Sequence, residues 1–393
     1  MPEILNEPTR SRTSLLALGF RPFFLAAGIS AAALLPVWLG RLQGWLPADS
    51  HLGGSLWHAH EMLFGYTAAV IAGFLLTAVR NWTGMETPTG ARLAALAGLW
   101  LAARIAPLVP VPASLVALLD VAFFPALAIA LHRPLWQGAN RNNRVFLALL
   151  AAMTLASCLV HAQALGLAEA TAARGTRLML DLTLLTLMIV SGRVMPFFTE
   201  RAVQGSAPRV LPGVERLTFV LATAGLLVNL ALPWSGIAGL VALSLAAVQA
   251  VRLWGWHDRR VWGIPILAVL YSGYLWLVVG FLLDGLAGIG LVPPYPALHA
   301  LTVGAVGVFT LGMMARVSLG HTGRAMRSSA VTNLAFVLLN ATALVRVVAT
   351  LLLPAGYTTW IHVSGLLWTL AFALFLWVYA PILIAPRVDG RPG

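Results

Sequence analysis

Histidines inside apolar stretches are the residues of this sequence best suited to chemistry. Five of them fall in or beside stretches long enough to cross a lipid bilayer: His58, His60, His161, His299 and His362. An ionisable side chain is costly in a bilayer core, so each is a functional candidate by default. Neutral imidazole is the usual protein ligand for haem iron and for many metal ions. The residue types therefore point first to haem or metal binding.

The string His58-Ala59-His60 carries the most information. Residues two apart on a helix point about 200° away from each other, so these imidazoles cannot easily share one ion and can each serve a different centre. Two axial histidines occupy both axial positions of a haem iron and make a closed haem, which transfers electrons. A single histidine leaves the second axial position open to a small gas. We predict a closed haem between His60 and His299, which an internal repeat aligns, and an open-coordinate haem at His58. No CxxCH string occurs, so any haem would be non-covalent.

The remaining polar residues in apolar stretches allow several interpretations. Glu61 is a candidate catalytic residue, either as the acceptor that orients a histidine or as part of a proton path, but it fits a neutral, hydrogen-bonded acid equally well. For His161 or His362 taken alone, a hydrogen bond between helices is slightly favoured over a ligand role. The sequence does not pair the other carboxylates and arginines within the stretches, which are Asp120, Asp181, Arg104, Arg193 and Arg346. Arg21 is expected to be an anchor that extends to the membrane surface.

The composition requires a membrane around these residues. Hydrophobic residues make up 60% of the 393 and charged residues only 10%, whereas an ordinary soluble domain has roughly a quarter charged residues. The net charge of +12 comes from arginines that concentrate in alternate loops, as expected for a membrane bundle, and this argues against a nucleic-acid partner. The single cysteine, Cys158, excludes a disulfide framework and a thiolate metal cluster.

Apolar segments separated by charged or Pro/Gly-rich breaks predict an all-α polytopic membrane protein of about twelve helices. Their expected starts lie near residues 17, 56, 91, 112, 144, 176, 215, 235, 262, 297, 328 and 358. No small-residue cleavage site follows the first stretch, so we expect it to be retained. The arginine distribution predicts that both termini lie in the cytoplasm. In that orientation the five histidines fall in the outer half of the membrane.

A weak internal repeat suggests how the helices are grouped. Thr83, Thr199 and Thr322 recur at nearly equal intervals within similar strings, and His60 aligns with His299. We therefore predict a single bundle, residues 1–393, of three four-helix units at about residues 15–135, 140–260 and 261–386, in a pseudo-threefold arrangement. The alternative is chance, because Gly and Thr are common in membrane helices.

Several strings together resemble the NnrS family over essentially the whole chain. They are Gly19-Phe20-Arg21-Pro22-Phe23-Phe24, His58-Ala59-His60-Glu61-Met62-Leu63-Phe64-Gly65-Tyr66, Ala72-Gly73-Phe74-Leu75-Leu76-Thr77-Ala78-Val79, Asn81-Trp82-Thr83-Gly84 and Gly192-Arg193-Val194-Met195-Pro196-Phe197-Phe198. The resemblance implies a twelve-span bacterial inner-membrane protein with haem and copper, associated with nitric oxide and with protection against nitrosative stress. Arg80 stands where we would expect proline in many relatives.

The predicted architecture also resembles subunit I of the haem-copper oxidases, which has three arcs of four helices. In those proteins the His-x-His lies on helix ten and the single histidine on helix two, so the arrangement here is reversed. Helix six has Thr176 where the repeat would place a ligand, and the usual copper trio is not visible. His161, His362 and His51 are the remaining candidates for copper on the outer side.

These observations lead to a functional hypothesis with alternatives. The leading one is a protein of the bacterial cytoplasmic membrane with two b-type haems that binds nitric oxide near His58 and receives electrons from an unknown donor. If it is an enzyme, it is a nitric oxide-linked oxidoreductase; otherwise it binds haem and nitric oxide without turnover. A secondary transporter with intramembrane carboxylates is a different class, but such transporters are usually built from two repeats rather than three.

Overall fold

The fold is an all-helical bundle of twelve long helices. A computed structural model describes residues 14–46, 52–233 and 235–391, and no β-strand occurs in these ranges. The helices, numbered α1 to α12 in chain order, are Phe20–Leu42, Gly54–Thr83, Gly90–Leu108, Ala113–Gln137, Arg141–Ala164, Thr171–Ala202, Pro212–Ala231, Gly236–Trp256, Pro265–Gly288, Pro294–His321, Ala330–Leu352 and Pro354–Ile384. All twelve are long and apolar enough to span a membrane. The predicted number of helices is confirmed, and each begins within a few residues of its expected start.

Three helices form the interior of the bundle. The apolar windows of α2, α6 and α10 are 89%, 72% and 72% buried, whereas no other helix exceeds 56%. The outer helices leave large apolar side chains exposed along their length, such as Ile129, Val337 and Leu366. In a membrane these side chains contact lipid rather than water. Polar groups on the three inner helices are therefore shielded from both lipid and water.

Short connections make successive helices run in opposite directions, and this places the five candidate histidines toward one end of the bundle. His58 and His60 lie near the start of α2, and His299 and His362 near the starts of α10 and α12. His161 lies near the end of α5, which runs the opposite way and ends on the same side. The expected clustering at one end is confirmed. That this end faces outward stays a prediction.

Two inner helices change their winding directly after a histidine. A π-helical segment, Glu61–Thr67, follows His60 in α2, and another, Ala300–Val308, follows His299 in α10. A third, Val345–Ala349, lies in α11 and contains Arg346. A π turn holds more residues than an α turn and so rotates the side chains that follow it; such segments are frequent at functional sites. The winding change sets the direction of the side chains around these histidines.

Equivalent positions of the repeat make similar contacts where α2, α6 and α10 end. Thr83, Thr199 and Thr322 each donate a hydroxyl hydrogen bond to the carbonyl oxygen four residues earlier, at 2.7, 2.8 and 2.6 Å. The guanidinium of Arg193 lies over the ring of Trp82, and that of Arg316 over Phe198. When the threonines are aligned, the two arginines occupy equivalent positions, and so do the two aromatic rings. The division into three four-helix units stays a prediction.

Arg21 joins the first helix to the end of the last. The residue is fully buried in α1, and its Nη1 donates to the carbonyl oxygens of Leu383 and Ala385 at 2.9 and 2.7 Å. These carbonyls belong to the end of α12, where no further helical turn supplies N–H donors to them. The expectation of an anchor at the membrane surface was wrong, because these carbonyl oxygens hold the guanidinium inside the protein.

Candidate metal and haem sites

His60 lies in a buried polar group at the start of α2. The side chain is almost fully buried and stacks on Phe64, with 4.7 Å between the ring centroids. Its Nδ1 lies 3.2 Å from Oε1 of Glu61, and its Nε2 lies 3.1 Å from Oδ2 of Asp120 in α4. Both ring nitrogens therefore face carboxylate oxygens.

Asp120 brings a second histidine into the same group. Its Oδ2 lies 3.0 Å from Nε2 of His161 in α5 and accepts a hydrogen bond from the Ser157 hydroxyl at 3.1 Å. One ligand atom from each of His60, Asp120 and His161 lies within 4.8 Å of the other two, and all three residues are buried. Two imidazole nitrogens and a carboxylate oxygen are a ligand set that suits transition-metal ions. We call these three residues the N2O group.

Arg104, near the end of α3, supplies the positive charge beside the N2O group. Its Nη1 donates to Oε1 of Glu61 at 2.8 Å, and its Nη2 forms an ion pair with Oδ1 of Asp120. Gly65 leaves room for this bridge, because a Cβ there would lie 3.2 Å from Oε2 of Glu61 and 3.4 Å from Nη1 of Arg104. The Arg104 guanidinium thus uses one oxygen of Asp120 and leaves the other to the histidines.

A small cavity opens onto the N2O group. It is lined by four polar residues of this cluster together with apolar side chains: His60, Glu61, Asp120, His161, Leu52, Trp57, Ala103, Pro107 and Val116. The apolar wall limits access of water. The cavity has room for about one water-sized species beside the polar residues.

His299 belongs to a different group, between α10, α2 and α11. Its Nδ1 lies 2.7 Å from the carbonyl oxygen of Tyr295, one turn earlier in α10. A carbonyl oxygen only accepts hydrogen bonds, so Nδ1 carries the proton and the Nε2 lone pair is available to a metal. The tyrosine is held in turn by a hydrogen bond from its hydroxyl to the carbonyl oxygen of Thr350, at 3.2 Å.

Arg346 and His58 complete this second group. Arg346 interacts electrostatically with both His58 and His299, and these two histidines also interact with each other. The arginine is 8% exposed and lies beside the ring of Tyr357, while its Nη1 has no hydrogen-bond partner among the described residues. His58 stacks on Trp38, with 4.2 Å between the ring centroids. A buried cation with two imidazoles can bind a planar anionic group. We call His58, His299 and Arg346 the arginine group.

The grouping of the histidines differs from the sequence-based pairing. As the helical angle predicts, His58 and His60 contact different groups. His60 contacts Asp120 and His299 lies in the arginine group, so the two are not in direct contact among the described residues, and their pairing through a haem stays a prediction. The repeat aligned the two residues as equivalent positions in two units, and equivalent positions need not be in contact.

The other sequence candidates lie outside both groups. His362 binds the carbonyl oxygen of Thr358 through Nδ1 and contacts the Gln43 side chain through Nε2, both at 2.7 Å. His51 lies outside the described residues. Asp181 accepts hydrogen bonds from Arg177 and Asn229, both at 3.0 Å, in a separate cluster of α6, α7 and α9.

Sequence reasoning identified Asp120 as a buried acid but did not connect it to the histidines. The order and direction of the predicted helices already contained this connection. Arg104, Asp120 and His161 lie near the end of α3, the start of α4 and the end of α5, which are the same end of the bundle as the start of α2. The alternation of helix direction is therefore enough to group these three residues with His60.

The comparisons with known proteins agree with the resemblance seen in the sequence. A family model described as NnrS protein matches residues 14–387, which is nearly the whole chain. No curated protein matches the chain.

Proposed function

The chain belongs to the NnrS family, whose model it matches over nearly its whole length, and from this premise we propose that it is a membrane haem protein that binds nitric oxide. The observation that carries the proposal is the arginine group, in which His58 and His299 lie within electrostatic range of the buried Arg346. The twelve apolar helices supply the membrane setting. Binding of nitric oxide at this site would lower its free concentration in the membrane and so protect against nitrosative stress.

The residues of the arginine group fit a haem. Haem iron accepts the Nε2 of a histidine, and the Nε2 of His299 is available because the Tyr295 carbonyl oxygen takes the Nδ1 proton. The haem propionates are anions, and Arg346 offers an Nη1 without a hydrogen-bond partner in the described part of the chain. His60 fits less well, because both its nitrogens already face carboxylates. We therefore assign one haem to this group and not to a pair of His60 and His299.

The two histidines of the arginine group have separate roles in this proposal. His299 would hold the haem iron through Nε2, since its hydrogen bond to Tyr295 fixes the ring orientation and increases the electron density at Nε2. His58, which stacks on Trp38, would face the bound nitric oxide. Once reduced by an electron donor, a bound haem would supply the iron that takes up nitric oxide.

Whether nitric oxide is only bound or also converted depends on electrons and protons. Reduction of nitric oxide requires an electron donor and consumes protons. Its oxidation requires an electron acceptor. Glu61 is the proposed proton carrier for a turnover reaction, because it lies between His60 and Arg104 beside the cavity. Binding without turnover requires neither.

The proposal is tested by absorption spectroscopy of the purified full-length protein in detergent. We expect a haem Soret band that shifts when nitric oxide is added to the dithionite-reduced protein. His299→Ala should remove the band or convert it to that of loosely held haem, whereas His362→Ala, a histidine outside both groups, should keep it. A protein purified without a Soret band, and unable to bind added haem, would refute the proposal.

A second measurement separates binding from turnover. An electrode records the loss of nitric oxide under anaerobic conditions with a chemical reductant and with a quinol as donors. Continuous consumption that Glu61→Gln slows at least tenfold supports an oxidoreductase. Uptake of one equivalent per haem with every donor supports binding alone.

A further inference from the structure

We propose that the N2O group of His60, Asp120 and His161 binds one divalent first-row transition-metal ion, at a site separate from the haem. The donor atoms come from α2, α4 and α5, so the site links three helices of the first part of the bundle. The inference rests on the geometry of these side chains and does not depend on the arginine group.

The distances between the donor atoms are suited to a small ion. Oδ2 of Asp120 lies 3.1 Å from Nε2 of His60 and 3.0 Å from Nε2 of His161. Ligand atoms bound tetrahedrally at about 2.0 to 2.1 Å lie roughly 3.3 Å apart. A small rearrangement of side chains therefore suffices to place an ion between the three atoms.

An ion satisfies the hydrogen count at His60 when the ring is neutral. Both ring nitrogens face carboxylate oxygens, which are acceptors only when the carboxylates are ionised. A neutral imidazole has one N–H and can satisfy only one of these contacts. An ion between Nε2 and Asp120 leaves the Nδ1 proton for Glu61. This is the carboxylate, histidine and metal arrangement that orients many metal-binding histidines.

The charges around the group attract a cation. With neutral histidines, the buried cluster contains the two carboxylates of Glu61 and Asp120 against the single guanidinium of Arg104. Excess negative charge in a low-dielectric interior is costly without a cation. Because Arg104 pairs with Oδ1 of Asp120, the Oδ2 atom remains on the side of the histidines. The adjoining cavity leaves space for a further ligand on the ion.

The ligand types select the class of ion. Imidazole suits zinc, copper, iron and nickel, whereas calcium and magnesium prefer shells made of oxygen. The only thiol, Cys158, is exposed on the outside of α5, although it lies near His161 in sequence. Cu²⁺ is the most sensitive probe, because nitrogen-rich sites bind it more tightly than the other divalent ions of this row.

The test uses the full-length protein in detergent, depleted of metal with a chelator and incubated with one equivalent of Cu²⁺. After gel filtration we expect one copper per chain, and an electron paramagnetic resonance spectrum with coupling to two imidazole nitrogens. His161→Gln and Asp120→Asn should each weaken Cu²⁺ binding at least tenfold. His362→Ala, at a histidine outside both groups, should retain one copper per chain.

Two results would overturn the assignment. One is equal Cu²⁺ affinity in the wild type and in both ligand variants. The other is a copper spectrum of the wild type without imidazole coupling, which remains decisive even if the variants fail to fold. The haem band is recorded on the same samples. Loss of copper with the haem band intact supports the metal site independently of the proposed function, and a missing haem band in every sample counts against the proposed function alone.

Discussion

Replacing Arg104 by methionine should cost about 3 to 5 kcal/mol of unfolding free energy in the metal-depleted protein. The guanidinium is 8% exposed and pairs with both Glu61 and Asp120. Methionine preserves much of the apolar stem but leaves two buried carboxylates without a cation, and removing one partner of a buried ion pair typically costs this amount. That cost is a large part of the roughly 5 to 15 kcal/mol by which proteins are usually stable.

The cost should shrink when an ion occupies the N2O group. A divalent cation between Asp120 and the histidines replaces part of the missing positive charge. A ligand at 100 times its dissociation constant stabilises the folded state by about 2.7 kcal/mol. We therefore expect Cu²⁺ to stabilise Arg104→Met at least as much as it stabilises the wild type.

Unfolding by SDS in mixed micelles, followed by circular dichroism, measures both effects. The matched control is Arg260→Gln, because Arg260 pairs with Asp258 on the surface at 2.7 Å and its side chain is 55% exposed. Exposed pairs contribute little, so the control should unfold close to the wild type. If Arg104→Met costs no more than the control, the reasoning about the buried charges is refuted.

Three further predictions concern parts of the bundle away from the metal site. Arg21→Met should lower the unfolding free energy by about 3 kcal/mol in the same assay, because charged hydrogen bonds to the end of α12 are lost; a change under about 1 kcal/mol would mean that these bonds do not stabilise the link between α1 and α12. Tyr66→Phe should cost about 1 kcal/mol, since its hydroxyl bonds to Thr310 at 2.6 Å between α2 and α10, and no measurable cost would mean that this bond does not stabilise the pair. The Arg387 guanidinium lowers the pKa of Asp389 from 3.8 to about 2, so the stabilisation is present above about pH 4 and is lost as the pH falls toward 2. Pepsin should then cut the C-terminal segment faster at about pH 2 than at about pH 4, relative to a reference peptide, and this pH effect should be absent in Asp389→Asn.

The helices and the end of the bundle that carries the histidines were predictable from the sequence. Each span is an apolar stretch of sufficient length, and alternation of direction brings His161 to the same end as His58 and His299. These features depend only on hydropathy and chain length, which the sequence contains directly.

The contacts of the histidines were not predictable in the same way. They depend on the rotation of each helix about its axis, and the π segments after His60 and His299 alter that rotation without a composition signal. The repeat alignment compares positions along the chain and carries no information about which side chains meet. The buried position of Arg21 was missed for a related reason, since its carbonyl partners lie at the other end of the chain.

We propose that the histidines at one end of the bundle form two separate sites, and haem and copper counted on the same preparations test this division most directly. We expect that His299→Ala loses haem and keeps one copper per chain, whereas His161→Gln loses copper and keeps haem. His60→Ala should behave like His161→Gln. If His60→Ala and His299→Ala instead remove the same haem signal, the two residues share one haem and the division into two sites is wrong.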